Sequence, residues 1–134
     1  MKIWSSITLI LILSSCSYQN KGGLESEIQS IELEYIAWAC DCANWATLED
    51  ARCYTGDSLS ERCIFIEPAS DRLKLPDSLG WSMDRIVFTG QFYKKPGFPS
   101  GFRSPQPVEK SKVFRYTDYV VKVSNYRWNK DNSD

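Results

Sequence analysis

Cysteine is the residue type with the clearest capacity for chemistry in this chain. Five are present among 134 residues, with no histidine, and they are Cys16, Cys40, Cys42, Cys53 and Cys63. Thiolates bind soft metals, exchange with disulfides or pair with one another. Lack of histidine removes the commonest general base and the commonest metal ligand from any site. Which thiol chemistry applies depends on the redox state of the compartment in which the protein resides.

The first fifteen residues have the organisation of an export signal. A positive charge at Lys2 is followed by an apolar stretch of about a dozen residues that ends at Leu13, before the small residues Ser14 and Ser15. This stretch is shorter than the ~20 residues that cross a bilayer comfortably. We therefore predict a cleaved signal peptide and not a membrane-spanning helix.

The run Leu13-Ser14-Ser15-Cys16 resembles the lipobox of bacterial lipoproteins, in which the preceding peptide is removed and the cysteine is acylated. The resemblance implies that residues 1–15 are a lipoprotein signal peptide and that Cys16 carries fatty acid such as palmitate. Stable attachment needs more than one acyl chain, and the acylated cysteine of such proteins carries two or three. Ser17 is not the aspartate linked to inner-membrane retention, so the expected location is the cell envelope, with the outer membrane favoured in a diderm bacterium.

Export changes the expectation for the other four cysteines, because an even number of thiols in an oxidising compartment favours disulfides. If Cys40 and Cys42 lie on a strand, their Cα atoms are about 6.5–7 Å apart, near or beyond the reach of a bridge. We therefore predict Cys42–Cys53 with Cys40–Cys63, or the crossed pairing. Each bridge would close a loop on the order of 10–25 residues and stabilise the fold by a few kcal/mol.

Metal binding and redox work are the alternatives for the same thiols. Cys-x-Cys can present two thiolates to Cu(I) or Zn(II), and Cys53 and Cys63 would complete a four-thiolate site. Zinc sites more often separate paired ligands by two or more residues, and a redox site is expected to use Cys-x-x-Cys. Disulfides are therefore the preferred prediction, and we assign no metal and no cofactor.

A second region with potential for binding runs from Lys94 to Lys110. It holds four prolines and two glycines and cannot form regular structure. Phe98, Phe102 and Arg103 lie among the prolines, and a stiff loop with exposed aromatic residues suits contact with a peptide, a glycan or a partner protein. The alternative is that both phenylalanines fold back over an open barrel end. We also predict that Trp45 is partly exposed and belongs to the same binding surface.

Charge and motifs exclude several classes of function. Sixteen basic and 17 acidic residues give a net charge of -1, which provides no broad attraction to nucleic acid. Neither a Gly-x-Ser-x-Gly nor a P-loop pattern occurs in the sequence. The neighbouring carboxylates of Glu32 and Glu34 are interpreted as charges on the solvated face of an edge strand. We assign no catalytic residue and predict no enzymatic activity.

Strand-like alternation dominates the rest of the sequence. Around Ile31, Leu33 and Tyr35 the apolar spacing also fits a helix, but dense aromatic and β-branched residues favour a strand. Further strands are predicted at 63–67, 84–93 and 111–126, with a helical turn at 47–52 that begins at a Thr47 cap.

Two irregularities are predicted within these strands. Gly90 falls on the apolar face of its strand, which indicates a bulge or close packing with another strand. The apolar phase of the last strand shifts by one residue near Thr117-Asp118, which indicates a bulge there.

The order of these segments resembles that of small exported lipoproteins of undefined function. The matching features are Cys-x-Cys-x-Asn-Trp after the first strand, a Val-Phe-Thr-Gly-Gln-Phe-Tyr strand, a Pro-Gly loop and a Val-Phe-Arg-Tyr strand. The domains of those proteins are similar to small curved β-barrels of the oligonucleotide/oligosaccharide-binding (OB) shape. Such barrels have no binding motif of their own, so the resemblance assigns no binding residues.

The sequence thus predicts a mainly β protein with a signal peptide at 1–15, lipidated Cys16 and a flexible tether at 16–27, one β-domain at 28–127 and a polar tail at 128–134. The domain is expected to be a curved antiparallel sheet or OB-like barrel with a disulfide-stapled loop region. Its predicted role is binding or scaffolding at the cell envelope, and the alternative is a metal- or redox-handling lipoprotein. The expected partners are the membrane, through the acyl anchor, and an envelope protein or glycan, but no nucleic acid.

Overall fold

The computed structural model of the chain describes residues 21–77, 79 and 85–122. The elements within these residues are β1 (Gln29–Tyr35), β2 (Trp45–Thr47), α1 (Leu48–Cys53), α2 (Gly56–Ser60), β3 (Phe65–Pro68), a 3₁₀ turn (Asp71–Leu73), β4 (Arg85–Phe92) and β5 (Val113–Lys122). The predicted signal peptide, Cys16 and the polar tail lie outside the described residues. Within the described residues, no helix has the length and apolar character needed to cross a membrane.

The five strands form one sheet in the order β2-β1-β4-β5-β3. β1 runs antiparallel to β2 and β4, and β4 is antiparallel to β5, whereas β3 and β5 are parallel. The two edges of the sheet meet where Trp45 bridges Ile64, whose backbone N–H donates to the Trp45 carbonyl at 2.8 Å. The sheet therefore curls into a partly closed barrel, which confirms the predicted mainly β, OB-like fold.

β1 is a strand, as the sequence predicted, because it pairs on both sides. Leu33 is fully buried and lies opposite Ile86 of β4. Glu32 points to the other face, where it accepts a hydrogen bond from Lys122 at 2.8 Å and lies 3.8 Å from Arg85. The interpretation of Glu32 as an edge charge is wrong, since β1 lies between two strands and the carboxylate takes part in cross-strand ion pairs.

The inner face of the curled sheet holds a cluster that we call the strand core. Phe88 lies at its centre, with ring centroids 4.9 Å from Tyr116 and 5.3 Å from Trp45. Its buried members are Leu33, Trp45, Ile64, Ile86, Phe88, Phe114 and Tyr116. Burial raises the pKa of Tyr116 to about 12, and its hydroxyl donates to the Leu73 carbonyl at 2.7 Å. The phenol is thus both buried and paired.

Both predicted irregularities are confirmed. A Cβ on Gly90 would lie 2.1 Å from the Arg115 carbonyl oxygen, so the two strands approach too closely for any side chain. The β4–β5 register shifts at this point: Thr89 pairs with Asp118 and Gly90 pairs with Tyr116. One residue of β5, Thr117, is therefore left without a partner in the ladder and forms the bulge.

The connection between β2 and β3 contains the predicted helical turn. Thr47 caps α1, because its hydroxyl accepts a hydrogen bond from the Asp50 backbone N–H at 3.1 Å. A second short helix, α2, follows at Gly56–Ser60.

The sequence predicted a flexible tether at 16–27, but residues 21–25 pair with the end of β4. The backbone N–H groups of Lys94 and Lys95 donate to the carbonyls of Gly23 and Lys21 at 2.9 and 3.1 Å. Leu24 bridges Tyr93 in the same antiparallel run. The ordered domain therefore includes Lys21 to Glu25 and does not begin at residue 28, because backbone pairing outweighs the polar, glycine-containing composition of this segment.

Candidate functional site

Two irregular connections lie side by side at the candidate site. We call them the β1–β2 loop (residues 36–44) and the β4–β5 loop (residues 93–112). Ser104 of the second donates from its hydroxyl to the Asp41 carboxylate of the first at 2.8 Å. Within the β1–β2 loop, the Trp38 indole N–H donates to the Ala43 carbonyl at 3.1 Å. Hydrogen bonds thus shape the β1–β2 loop and link it to the β4–β5 loop.

The predicted aromatic residues of the β4–β5 loop pack against the sheet. Phe98 and Phe102 stack with centroids 4.8 Å apart and ring planes within 6° of parallel. Both rings rest on Phe65 of β3, at 5.9 and 5.4 Å. The alternative prediction is therefore the correct one: the phenylalanines fold back over the barrel and are half-buried. They cover a second apolar cluster, the loop-covered cluster, whose buried members are Ala43, Ala46, Leu59, Cys63, Phe65 and Val113.

The same phenylalanines still present surface to solvent. Phe98, Phe102 and Arg103 line a hollow of about 600 Å³, which continues along Ser104, Gln106, Pro107 and Val108. A second hollow of about 280 Å³ lies between residues 104–108 and the segment of the β1–β2 loop from Trp38 to Asp41. The two share Ser104, Gln106, Pro107 and Val108, and we call them together the loop groove. Its larger part is within the range of about 300–1,000 Å³ that small-molecule sites occupy.

Trp45 does not belong to this groove, and the prediction that it is partly exposed is wrong. It is 5% exposed, and its ring packs edge-on against Tyr35 and Phe88 at 5.5 and 5.3 Å. The loop ends at Asn44, so Trp45 is already the first residue of β2 and points into the strand core.

The predicted disulfide pairings are wrong. The structure joins Cys40 to Cys42, with a Cα–Cα distance of 5.3 Å, and leaves Cys53 and Cys63 as thiols. Residues 39–42 form a bend and not a strand, which brings alternate Cα atoms closer than the extended spacing assumed. The Cys53 thiol is exposed, whereas burial raises the pKa of the Cys63 thiol.

The thiols therefore do not assemble into one centre. Across residues 21–77, 79 and 85–122, no group of three or more cysteine, aspartate, glutamate or histidine side chains is placed to hold a metal ion. The four-thiolate arrangement considered for this sequence is not formed, since two of its sulfurs are bonded to each other.

A buried carboxylate beneath the β4–β5 loop was missed by the sequence analysis. Glu67 of β3 is 5% exposed and accepts hydrogen bonds from the Lys21 ammonium and the Tyr93 hydroxyl, each at 2.5 Å. The Ser100 backbone N–H donates to the same carboxylate at 2.8 Å, and Arg115 lies 3.9 Å away. Four separate segments of the chain thus converge on the Glu67 side chain. One of them is the β4–β5 loop, whose contact residue, Ser100, lies midway between Phe98 and Phe102.

The electrostatics of Glu67 follow from these partners. Burial by itself raises the pKa of Glu67, but hydrogen bonds from Lys21, Tyr93 and Ser100 together outweigh it, and the pKa lies below its ordinary value. Burial and the hydrogen bond to this carboxylate raise the pKa of Tyr93 to about 12. Glu67 is therefore ionised and Tyr93 neutral at pH 7, and this polar cluster positions the β4–β5 loop.

A sequence signal for Glu67 did exist. Phe65 and Glu67 lie two residues apart on a short apolar strand, so they share a face. Since Phe65 points into the core, Glu67 must be buried as well, and a buried carboxylate requires a partner.

Comparison of the chain with family models, with curated proteins and with solved structures gives no match. The candidate site consequently rests on the loop geometry and the side chains described above.

Proposed function

We propose that this chain is a lipid-anchored protein of the bacterial cell envelope and that its loop groove binds a glycan. The anchor is supported by the short apolar leader that ends in Leu13-Ser14-Ser15-Cys16. Acylation at Cys16 would place the domain at a membrane surface, with the outer membrane favoured in a diderm bacterium. The anchor and the groove are separate parts of this proposal and are tested separately.

The observation that carries the binding role is the loop groove itself. Three of the four residues predicted to bind a ligand, Phe98, Phe102 and Arg103, line one hollow. The groove is built from the β1–β2 and β4–β5 loops, which are the loops that OB barrels use to bind oligonucleotides and oligosaccharides. The fold and the position of the groove therefore both support the proposed binding role.

A glycan fits the chemistry of the groove better than a nucleic acid. The chain has a net charge of -1, so it lacks the excess of basic residues that neutralises a phosphate backbone. The groove offers apolar ring surface from Phe98 and Phe102 beside planar polar groups, the Arg103 guanidinium and the Gln106 amide. Apolar ring surface together with hydrogen-bonding groups suits a sugar ring, which has an apolar face and hydroxyl groups at its edge.

The binding role is tested by titrating the protein with oligosaccharides of four to six sugar units, both N-acetylated and unmodified, and measuring affinity by calorimetry. Arg103→Ala is expected to weaken binding about tenfold or more, because it removes a hydrogen-bonding cation from the groove wall. The matched control is Arg72→Ala, an exposed arginine of the 3₁₀ turn, which should leave the affinity unchanged. No binding by any oligosaccharide, or an equal effect of both substitutions, would contradict a glycan site in this groove.

Anchoring is tested by intact mass of the protein purified from bacterial membranes. The expected mass is that of residues 16–134 with two or three acyl chains. A mass that includes residues 1–15, or one without fatty acid, rules out the anchor.

A second candidate function is thiol–disulfide exchange at Cys40–Cys42. It is favoured by the location of the bond in an exposed bend, where Cys40 lines the smaller hollow of the groove. A partner dithiol would transfer two electrons and two protons, reducing this disulfide as its own sulfurs became bonded. Equilibration with a glutathione redox buffer distinguishes the roles: a potential below about -300 mV indicates a structural bond.

A further inference from the structure

The first described residues are held tightly to the body of the domain. Lys21 is 6% exposed, its ammonium pairs with Glu67, and its backbone carbonyl accepts from Lys95 at 3.1 Å. Two separate kinds of bond thus fix the position at which the N-terminal segment joins the sheet. Any anchor upstream of Lys21 acts on the domain at this point.

The distance from this point to the proposed anchor is short. Five peptide units separate Cys16 from Lys21 in the sequence. Even fully extended, five units reach only about 17 Å. This length is about half that available if the whole segment 16–27 were free. One end of the barrel is therefore held near the headgroups if Cys16 is acylated.

The strand register identifies which end that is. Phe92 pairs with Phe114 at one end of the β4–β5 ladder, and Arg85 pairs with Lys122 at the other. Lys21 lies beyond Phe92, at the first end, because its carbonyl bonds to Lys95.

The end that holds Lys21 is rich in lysine. Lys94, Lys95 and Lys112 are all exposed. Lys94 and Lys112 line one hollow, which also includes Glu25, and the Lys95 stem lies 3.2 Å from the position of a Cβ on Gly22. The two lysines of this hollow outnumber its single carboxylate. Lys95 adds a third exposed cation at the same end, although the chain as a whole is slightly acidic.

We propose that this end, formed by Lys94, Lys95 and Lys112, docks on the anionic phospholipid headgroups of the membrane to which Cys16 is attached. The inference rests on the proposed acylation. Single lysine–headgroup contacts are weak and screened by salt, but a short tether keeps the local headgroup concentration high and makes several contacts at once favourable. Docking orients the domain, so its opposite end, where Lys122 pairs with Arg85, faces away from the bilayer.

The test uses the acylated full-length mature protein, purified from membranes and added to preformed vesicles. One set of vesicles contains phosphatidylcholine alone, and the other contains phosphatidylglycerol with phosphatidylcholine. A membrane-impermeant amine reagent labels exposed lysines, and mass spectrometry reads each site. Lys94, Lys95 and Lys112 should be labelled about threefold less on the anionic vesicles, and high salt should abolish the difference. Lys122, at the opposite end, should be labelled equally on both.

Matched variants sharpen the result. Lys94→Gln with Lys95→Gln should remove the protection of Lys112, whereas Lys122→Gln, at the far end of the β4–β5 ladder, should leave it intact. Equal labelling of near and far lysines on acylated protein overturns the docked orientation and leaves the anchor standing. An intact mass without fatty acid overturns the anchor and the orientation together, and loss of glycan binding alone affects neither.

Discussion

The strand core and the loop-covered cluster are both built around phenylalanine rings, but they are assembled differently. In the strand core, Phe88 is fully buried and its ring neighbours come from hydrogen-bonded strands of the sheet. In the loop-covered cluster, Phe98 and Phe102 are half-buried and come from a proline-rich loop that rests on Phe65. The same side chain, phenylalanine, is thus held by paired strands in the strand core and by an irregular loop over the other cluster.

This difference assigns most of the stability to the strand core and the proposed binding surface to the loops. Rings held by strands lose most of their solvent contact and contribute most to the core. The loop that carries the other rings is held by polar bonds, from Ser100 to Glu67 and from Ser104 to Asp41. A loop fixed at a few polar points leaves hollows between them, and these hollows form the loop groove.

The largest effect should come from truncating the central ring of the strand core. Phe88→Ala is expected to lower the free energy of unfolding by about 3–5 kcal/mol, because it leaves a cavity that the paired strands cannot close. Phe102→Ala should cost about half as much, since that ring is already partly solvated. Urea unfolding measures both, with the exposed Val120→Ala as the control. Similar losses for the two phenylalanines would contradict the comparison.

Breaking the polar support of the loop should cost slightly less. Glu67→Gln removes the charge that Lys21 is buried against and is expected to destabilise the domain by about 3 kcal/mol. Hydrogen exchange at the Ser100 amide should accelerate more than exchange in β4, because that amide loses a charged acceptor. The control is Glu27→Gln, at an exposed position. Unchanged exchange at Ser100 would show that the loop is held in another way.

The same support predicts a dependence on pH. The pKa of folded Glu67 lies below its ordinary value of 4.5, so its contribution is complete above pH 4.5 and is lost as pH falls through the folded pKa. The advantage of wild type over Glu67→Gln should therefore shrink in acid. The pKa of Tyr93 moves from 10 to about 12, so its contribution is complete below pH 10 and declines between pH 10 and 12. The free energy of unfolding of wild type, Glu67→Gln and Tyr93→Phe, measured as a function of pH, tests the acid and the alkaline dependence. A gap between wild type and Glu67→Gln that stays constant in acid would contradict the ion pair.

The smallest effect should come from the disulfide. Cys40→Ser with Cys42→Ser is expected to lower stability by about 1–2 kcal/mol, because the bond closes a loop of only three residues. The pairings predicted from the sequence would each have closed a much longer loop and contributed about 3 kcal/mol or more. Denaturation with and without reductant gives the value. A loss larger than that caused by Glu67→Gln would contradict this order.

How far the sequence predicts the molecule differs between the two regions. Alternating apolar residues identified β1 and β4 in the sequence, and the apolar position of Gly90 predicted the close approach to β5. The residues of the strand core could be predicted because each strand carries its own alternation of apolar and polar residues. Trp45 was the exception, since it stands at a boundary between loop and strand where periodicity is weakest.

The polar contacts of the loops could not be predicted from the sequence in this way. Lys21 and Glu67 are 46 residues apart, and nothing in the local sequence of either names the other. The Cys40–Cys42 pairing depends on a bend whose geometry a strand assumption excluded. Phe98, Phe102 and Arg103 were correctly grouped because proline and aromatic content mark a loop with contact potential, but the support from Ser100 required the fold.

The pairing of residues 21–25 with the end of β4 also sets the order in which the domain can form. Glu25 and its hydrogen-bonded partner Gln91 are 66 residues apart, so a nascent chain that emerges amino end first exposes residues 21–25 long before β4 exists. Loop-closure entropy must be overcome before that contact forms. Residues 21–25 therefore cannot form this pairing until more than two thirds of the polypeptide has emerged.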